Sequence, residues 1–336
     1  MHQEAHTGLP PKTTGMAARN ALKHIASRVQ ATIGAEFFES LVKNLAEALE
    51  ADCIYVGEFV GGKMERVRTV ASWVNGKPGD AFESYTLAGS VAAQVAVGEH
   101  RVYTRDVLKK FPSDVLLLEM VAQACVAIPL LDPQRQAIGV LMAVYRRALA
   151  NTRLPKSMLE MFAPRAAAEL GRQQGEAALR ESEQRYRMFV AQNPDAMWRI
   201  EFELPIPLEL SEDEQIESIF DQGYLAECND AAARRHGYDK AEQVIGSSVQ
   251  EWAAREDPRL REQMRSAINS GYGFNTVQIE VPGPDGTQRL LLRSHWGIIE
   301  NGTLTRIWGT TRDITELLRE HGALTATGAK EDRTDP

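Results

Sequence analysis

The feature that most constrains this chain is a run of alternation near its C-terminus. From Phe274 to Glu316 it reads FNTVQIEVPGPDGTQRLLLRSHWGIIENGTLTRIWGTTRDITE. β-Branched and aromatic residues fall into three stretches, parted by Pro284-Asp285-Gly286 and Glu300-Asn301-Gly302. Turn residues of this kind between such stretches predict three successive antiparallel strands. The run closes on Arg312-Asp313-Ile314-Thr315-Glu316. Here Asp313 is expected to cap an exit helix, with Glu316 three residues on closing the reciprocal bond.

The first half alternates helical and extended patterns. A helix is predicted from Ala17, with Leu22, Ile25, Val29 and Ile33 at helical spacing, stopped by Gly34. A second helix carries Phe38, Leu41, Leu45 and Ala48 on one face. Cys53 to Val60 is rich in strand formers, and Gly61-Gly62 supplies a hairpin turn. Val67, Thr69, Ala71 and Trp73 then alternate, which predicts a second strand showing all four to one side. A short helix over 88–97 and a short strand over 101–104 lead to Cys125–Leu130 and Gln136–Tyr145, two strands joined by the Asp132-Pro133 turn. A helix over 155–170 closes the unit. This order predicts an α+β domain on one antiparallel sheet.

The stretches Phe38 to Leu49, Asp52 to Phe59, CVAIPLLDPQRQAIGVLMAVY and MLEMFAPRAAAEL resemble a GAF domain. The resemblance implies a small ligand held between the sheet and the long middle segment, or a module that only dimerises. Trp73, Phe82 and Tyr85 are the candidate pocket residues. A covalent bilin is not expected, since no Cys lies between Gly76 and Met120. The spaced set of cyclic-nucleotide binders does not map onto the chain. His100, the one His of the middle segment, reads as part of an exposed turn rather than a haem or iron ligand.

Leu159, Phe162, Ala166, Leu170, Gln173 and Ala177 step by three and four, and GEAALRESEQRYRMFV follows. A narrow apolar stripe with charged flanks predicts one long helix that pairs with a second copy as a parallel coiled coil. Gly171 and Gly175 weaken that helix. The connector proper is placed at 173–190.

In the second half, Glu183 to Phe189 and Asn193-Pro194-Asp195-Ala196-Met197-Trp198 resemble the opening of a PAS domain, with the helix ending before Pro194. A strand from Met197 pairs with Tyr224 to Cys228, across an insertion ELPIPLELSEDEQIESIFDQG read as an acidic loop with a helical turn. Asn229 caps a short helix that Gly237 stops. A helix over 258–268 and the three closing strands complete the pattern. The resemblance implies a ligand pocket, for which Trp252 and His295 are candidates. It also implies that Asp313 and Thr315, with Glu316, tie the exit helix to the sheet and relay a signal. The photoactive flavin cysteine motif is absent, since Cys228 lies in Glu-Cys-Asn at a strand end. Haem is not expected either, because 253–270 contains no His. His236 reads as a surface residue. His295 titrates near neutral pH if it faces the pocket.

The fold class expected is therefore α+β, with two antiparallel-sheet sensor domains, GAF-like over 17–172 and PAS-like over 191–318, joined by a long helical connector. Tails over 1–16 and 319–336 are expected to be disordered. A net charge of −8 disfavours nucleic acid as a partner, which Lys and Arg would have to hold. Three scattered cysteines, Cys53, Cys125 and Cys228, suit a reducing cytoplasm and make no zinc spacing. No run of about 18 apolar residues marks a membrane span. Walker, zincin and nucleophile-elbow motifs are absent, and His321 lacks the neighbours of a phospho-acceptor. The expectation is a cytoplasmic, non-enzymatic, homodimeric sensor of signal transduction, as in two-component systems. It would bind an unknown small ligand and act on a partner kinase, cyclase or transcription regulator. The alternative is the sensory N-terminal part of a histidine kinase or diguanylate cyclase, and a third reading is an empty dimerising scaffold.

Overall fold

The computed structural model describes residues 33–61, 65–79, 84–282 and 288–319. The expected helix from Ala17, both expected tails apart from Arg319, Gly62, Phe82, the turn at Pro284-Asp285-Gly286 and His321 lie outside the described residues. The chain parts into two compact units between Arg180 and Glu181.

In the first unit, α1 (Gly34–Leu49) buries Phe37, Phe38, Leu41, Val42 and Leu45, the i, i+3, i+4 stripe of an amphipathic helix. The strands are β1 (Cys53–Val60), β2 (Arg66–Val74), β3 (Lys77–Pro78), β4 (Ser84–Thr86), β5 (Arg101–Tyr103), β6 (Ala124–Leu131) and β7 (Ala137–Tyr145). They form an antiparallel sheet in the order β3-β2-β1-β7-β6-β5, with β4 on β2. Strands β1, β6 and β7 are buried on both faces, so they read as nearly continuous apolar runs, with Glu58 of β1 as the charged exception. One face packs on α1 and on α5 (Arg153–Gln192). The other is covered by α2 (Val91–Val95), α3 (Val107–Lys110) and α4 (Val115–Met120). Asp114 organises that cover: its carboxylate accepts from Val91 N at 2.8 Å and from Leu117 N at 3.1 Å, so one buried side chain caps two helices.

Two expectations change here. A bulge opposite Val56/Gly57 inserts Val70 into β2. Val67 and Thr69 therefore face the α2–α4 side, whereas Ala71 and Trp73 face α1. The stripe Leu159, Phe162, Ala166 and Leu170 on α5 is not a free seam either. All four are buried in the core under the unit's own sheet. Glu58, buried on β1, fastens α5 further, accepting from Gln174 Nε2 at 2.8 Å and pairing with Arg68.

The second unit is a sheet in the order β10-β11-β12-β8-β9, antiparallel throughout. Its strands are β8 (Ala196–Pro207), β9 (Gly223–Cys228), β10 (Asn275–Pro282), β11 (Gln288–Glu300) and β12 (Thr303–Asp313). Helices α6 (Glu212–Gln222), α7 (Asp230–Arg235), α8 (Val249–Trp252) and α9 (Pro258–Asn269) lie between and beside these strands in the chain. The insertion differs from the expected acidic loop. Its first residues prolong β8 to Pro207, and the rest is the three-turn helix α6. A capping box starts it: Glu214 N donates to Ser211 Oγ at 3.4 Å and Ser211 N donates to Glu214 Oε2 at 2.9 Å. Asp213, Glu217 and Asp221 recur every fourth residue and so share a face. They meet Arg265 at 3.0 Å, Arg261 at 2.8 Å, and Arg255, so the acidic run is half of an interhelical ion-pair seam with α9 and the segment before it. Among the described residues, no helix is long and apolar enough to cross a membrane.

Candidate functional site

Alternation along the closing strands decides what faces inward. On β11 the inward residues are Arg289, Leu291, Arg293 and His295; on β12 they are Ile307, Gly309 and Thr311. Trp198 on β8 lies flat against Gly309, where a Cβ would collide with its ring. Opposite these strands, α9 presents Leu260, Met264 and Ala267, one helical face. Between sheet and helices lies a cavity of about 650 Å³. That size and a largely apolar lining are typical of small-molecule sites.

Trp252 and His295 both line this cavity. Trp252 Nε1 donates to Ser247 Oγ, and its ring meets His236 edge-on at 4.3 Å. His236 is open to solvent on one side, with its ring partly covered by Trp252 in the cavity lining. Burial, and then the Arg293 charge, hold both His236 and His295 below the ordinary imidazole range. Cys228 also lines the cavity, and burial pushes its thiol up to about 11, so it is a neutral wall residue.

The polar wall of the cavity was not legible in the sequence. Arg289 lies 3.8 Å from Asp313. Arg235 ends α7 near the same carboxylate. Arg293 is different. Its Nε is buried and has no hydrogen-bond partner, and among the ion pairs of the described residues none includes it. Arg255 and Arg306 also leave Nε unbonded, yet their terminal nitrogens reach Asp221 and Glu300. Burial lowers Arg293's affinity for its proton, and nearby Arg235 adds to the effect. A strand alternation with arginine at two inward positions was the one signal available, and it says nothing about pairing.

The exit of the sheet is tied as follows. Leu290 N donates to Thr315 Oγ1 at 2.8 Å, and Thr315 N and Oγ1 donate to Asp313 Oδ1 at 3.0 and 2.6 Å. Burial raises the Asp313 carboxyl, but the Thr315 bonds and the arginines outweigh it and leave it below its usual range. The expected capping box does not form: among the hydrogen bonds of the described residues, Glu316 makes none to the Asp313 amide. Asp313 is the last residue of β12, and the amide after it, Ile314 N, donates to Leu290 O at 2.9 Å. Residues 315–319 are helical.

The expected pocket of the first unit comes apart. Tyr85 is buried beside Tyr55, ring centroids 6.1 Å apart, on the α2–α4 side. Trp73 lies on the opposite face with Lys43 over its ring at 5.5 Å. The Val70 bulge is the cause, so the two cannot line one cavity. Phe82 lies outside the described residues. His100 is half-exposed, 4.0 Å from Glu160. Among the described residues no cluster of three or more His, Cys, Asp or Glu is gathered as for a metal ion.

No family model and no curated relative matches this chain. Solved structures similar to part of it include the GAF domain of an Acinetobacter phosphoenolpyruvate-protein phosphotransferase, at 13% identity over 48% of this chain and 97% of that one, TM-score 0.40. A free methionine-R-sulfoxide reductase from Neisseria meningitidis, in complex with its substrate, is similar at 16% identity over 50% of this chain and 98% of its own, TM-score 0.40. The PAS domain of Bordetella pertussis BvgS is similar at 20% identity over 45% and 98%, TM-score 0.30.

Proposed function

We propose that the chain is a ligand-responsive regulatory protein of signal transduction. In this reading a GAF-like unit precedes a PAS-like one, neither has a reaction of its own, and the second unit holds the ligand. The observation that carries the reading is the cavity of about 650 Å³ walled by Trp198, Trp252 and His295 on one side and α9 on the other. Its inner wall, β11 and β12, is also the part of the sheet to which Thr315 fastens residues 315–319. A ligand that favours one arrangement of that wall shifts the population of exit-helix positions by its difference in affinity between the two.

The output is a homodimer whose helices run side by side over 173–190, passing the change to a partner kinase, cyclase or transcription regulator. Leu179 and Phe189, 61% and 63% exposed on this stretch of α5, support a helix–helix contact there. Native mass spectrometry of the purified full chain tests both parts. A dimer with added mass on each subunit is expected. A bare monomer, unchanged by added small-molecule extracts, refutes the reading.

A further inference from the structure

We propose that the cavity of the second unit takes an amphiphilic monocarboxylate, its apolar body against α9 and Trp198 and its carboxylate on the guanidinium of Arg293. This rests on the reading of that cavity as the sensing site. Arg293 stands at an inward position of β11 with Thr311 across from it on β12, and both line the cavity. Arg293 is half-buried with its Nε wholly enclosed, and a guanidinium partly withdrawn from water without a counter-charge is unfavourable, since buried charges are paired as a rule. The other cations of the wall are differently placed. Arg234 is exposed to solvent, Arg289 faces Asp313, Arg235 lies near Asp313 and Asp195, and the two histidines are held towards their neutral forms. One full positive charge is therefore uncompensated, which calls for one negative charge on the ligand.

The planar fork of arginine suits a carboxylate, which it can bind through two parallel N–H bonds. The remaining lining specifies the rest of the molecule. Leu260, Met264, Ala267, Ile200 and Val249 offer no polar group, and Gln263 is the one polar side chain of α9 in the lining, so the body beyond the anion is largely apolar. His295, two residues along β11 and on the same face, is placed to donate a further bond to the anion.

The experiment uses the full chain, wild type and Arg293→Met, with octanoate and octan-1-ol as probes, followed by titration calorimetry and thermal unfolding. Methionine keeps the length and removes the charge. Wild type should bind octanoate at least about tenfold more tightly than octan-1-ol, the scale of a charge-assisted bond. The variant should lose that preference and still bind the alcohol. Without ligand, the variant's Tm should equal or exceed wild type's by about 3 °C, because an unpaired, half-buried charge is gone. Equal binding of both probes by both proteins overturns the carboxylate assignment and leaves the sensing reading standing. Binding of neither probe by wild type overturns the inference, while the sensing reading stands or falls on the native mass measurement. A clear fall in Tm for the variant shows that Arg293 is already satisfied within the fold and overturns the inference whatever the probes do.

Discussion

Asn229 is the side chain on which the second unit should depend most. It is buried at the junction of α5, β8 and α7 and uses its whole amide. Oδ1 accepts from Met197 N and Ala232 N, both at 3.0 Å. The two hydrogens of Nδ2 serve three acceptors, Val190 O and Asn193 O at 3.1 Å and Asp195 O at 2.8 Å, so one of them is shared. Two backbone N–H donors on one atom fix which end of the amide is oxygen. Asn229→Ala loses the α7 cap, about 1 kcal/mol. It also strands buried backbone groups at about 1–3 kcal/mol each, part of which water recovers, so about 3–4 kcal/mol in all is expected. Asn229→Asp keeps both accepted bonds and therefore the cap, but sets a carboxylate against three carbonyl oxygens. It should be destabilised at pH 7 about as much as the alanine variant.

The two units need separate readouts, because a chain of two units has no single unfolding free energy. Of the five tryptophans, only Trp73 lies in the first unit. Fluorescence in a Trp73→Phe background then follows the second unit alone during urea unfolding. With a slope of about 2 kcal/mol per molar urea, the expected loss moves the midpoint down by about 1.5–2 M. A shift below about 0.5 M for the alanine variant would refute the reasoning. An aspartate variant as stable as wild type would show that the cap alone matters and that the bonds donated by Nδ2 contribute little.

Gly309→Ala forces the Trp198 ring off the sheet and should cost about 1–3 kcal/mol in the second unit, as overpacking does. In a Trp198→Ala background the same change should cost almost nothing, and an additive double mutant would refute the contact. His295 and His236 bind protons less readily folded than unfolded. The unfolded state therefore takes up more protons below about pH 6.5, and the second unit's urea midpoint should fall as pH drops from that value. His295→Gln should flatten this dependence, and an unchanged slope would show that His295 titrates freely.

How much of this was legible in the sequence depends on whether local pattern or long-range pairing fixes the feature. The α+β class, the three closing strands, the helix stripes of α1 and α9 and the Asn229 cap follow from periodicity and short-range hydrogen bonding, so the residues near them in sequence determine them. The Ser211-to-Glu214 capping box was equally local and would have announced α6. The acidic spacing of Asp213, Glu217 and Asp221 was visible too, but its arginine partners lie on other elements and only the packing joins them. Tertiary structure alone decided three matters. A single inserted residue, Val70, put Trp73 and Tyr85 on opposite faces, because side chains alternate with period two and one extra residue inverts the pattern. The α5 stripe was ambiguous between a partner chain and the chain's own sheet, since both bury the same spacing; Leu159, Phe162, Ala166 and Leu170 went to the sheet. Finally, arginines 289 and 293 look alike in sequence, and only the position of Asp313 across β12 gives one a counter-charge and leaves the other facing the cavity without one.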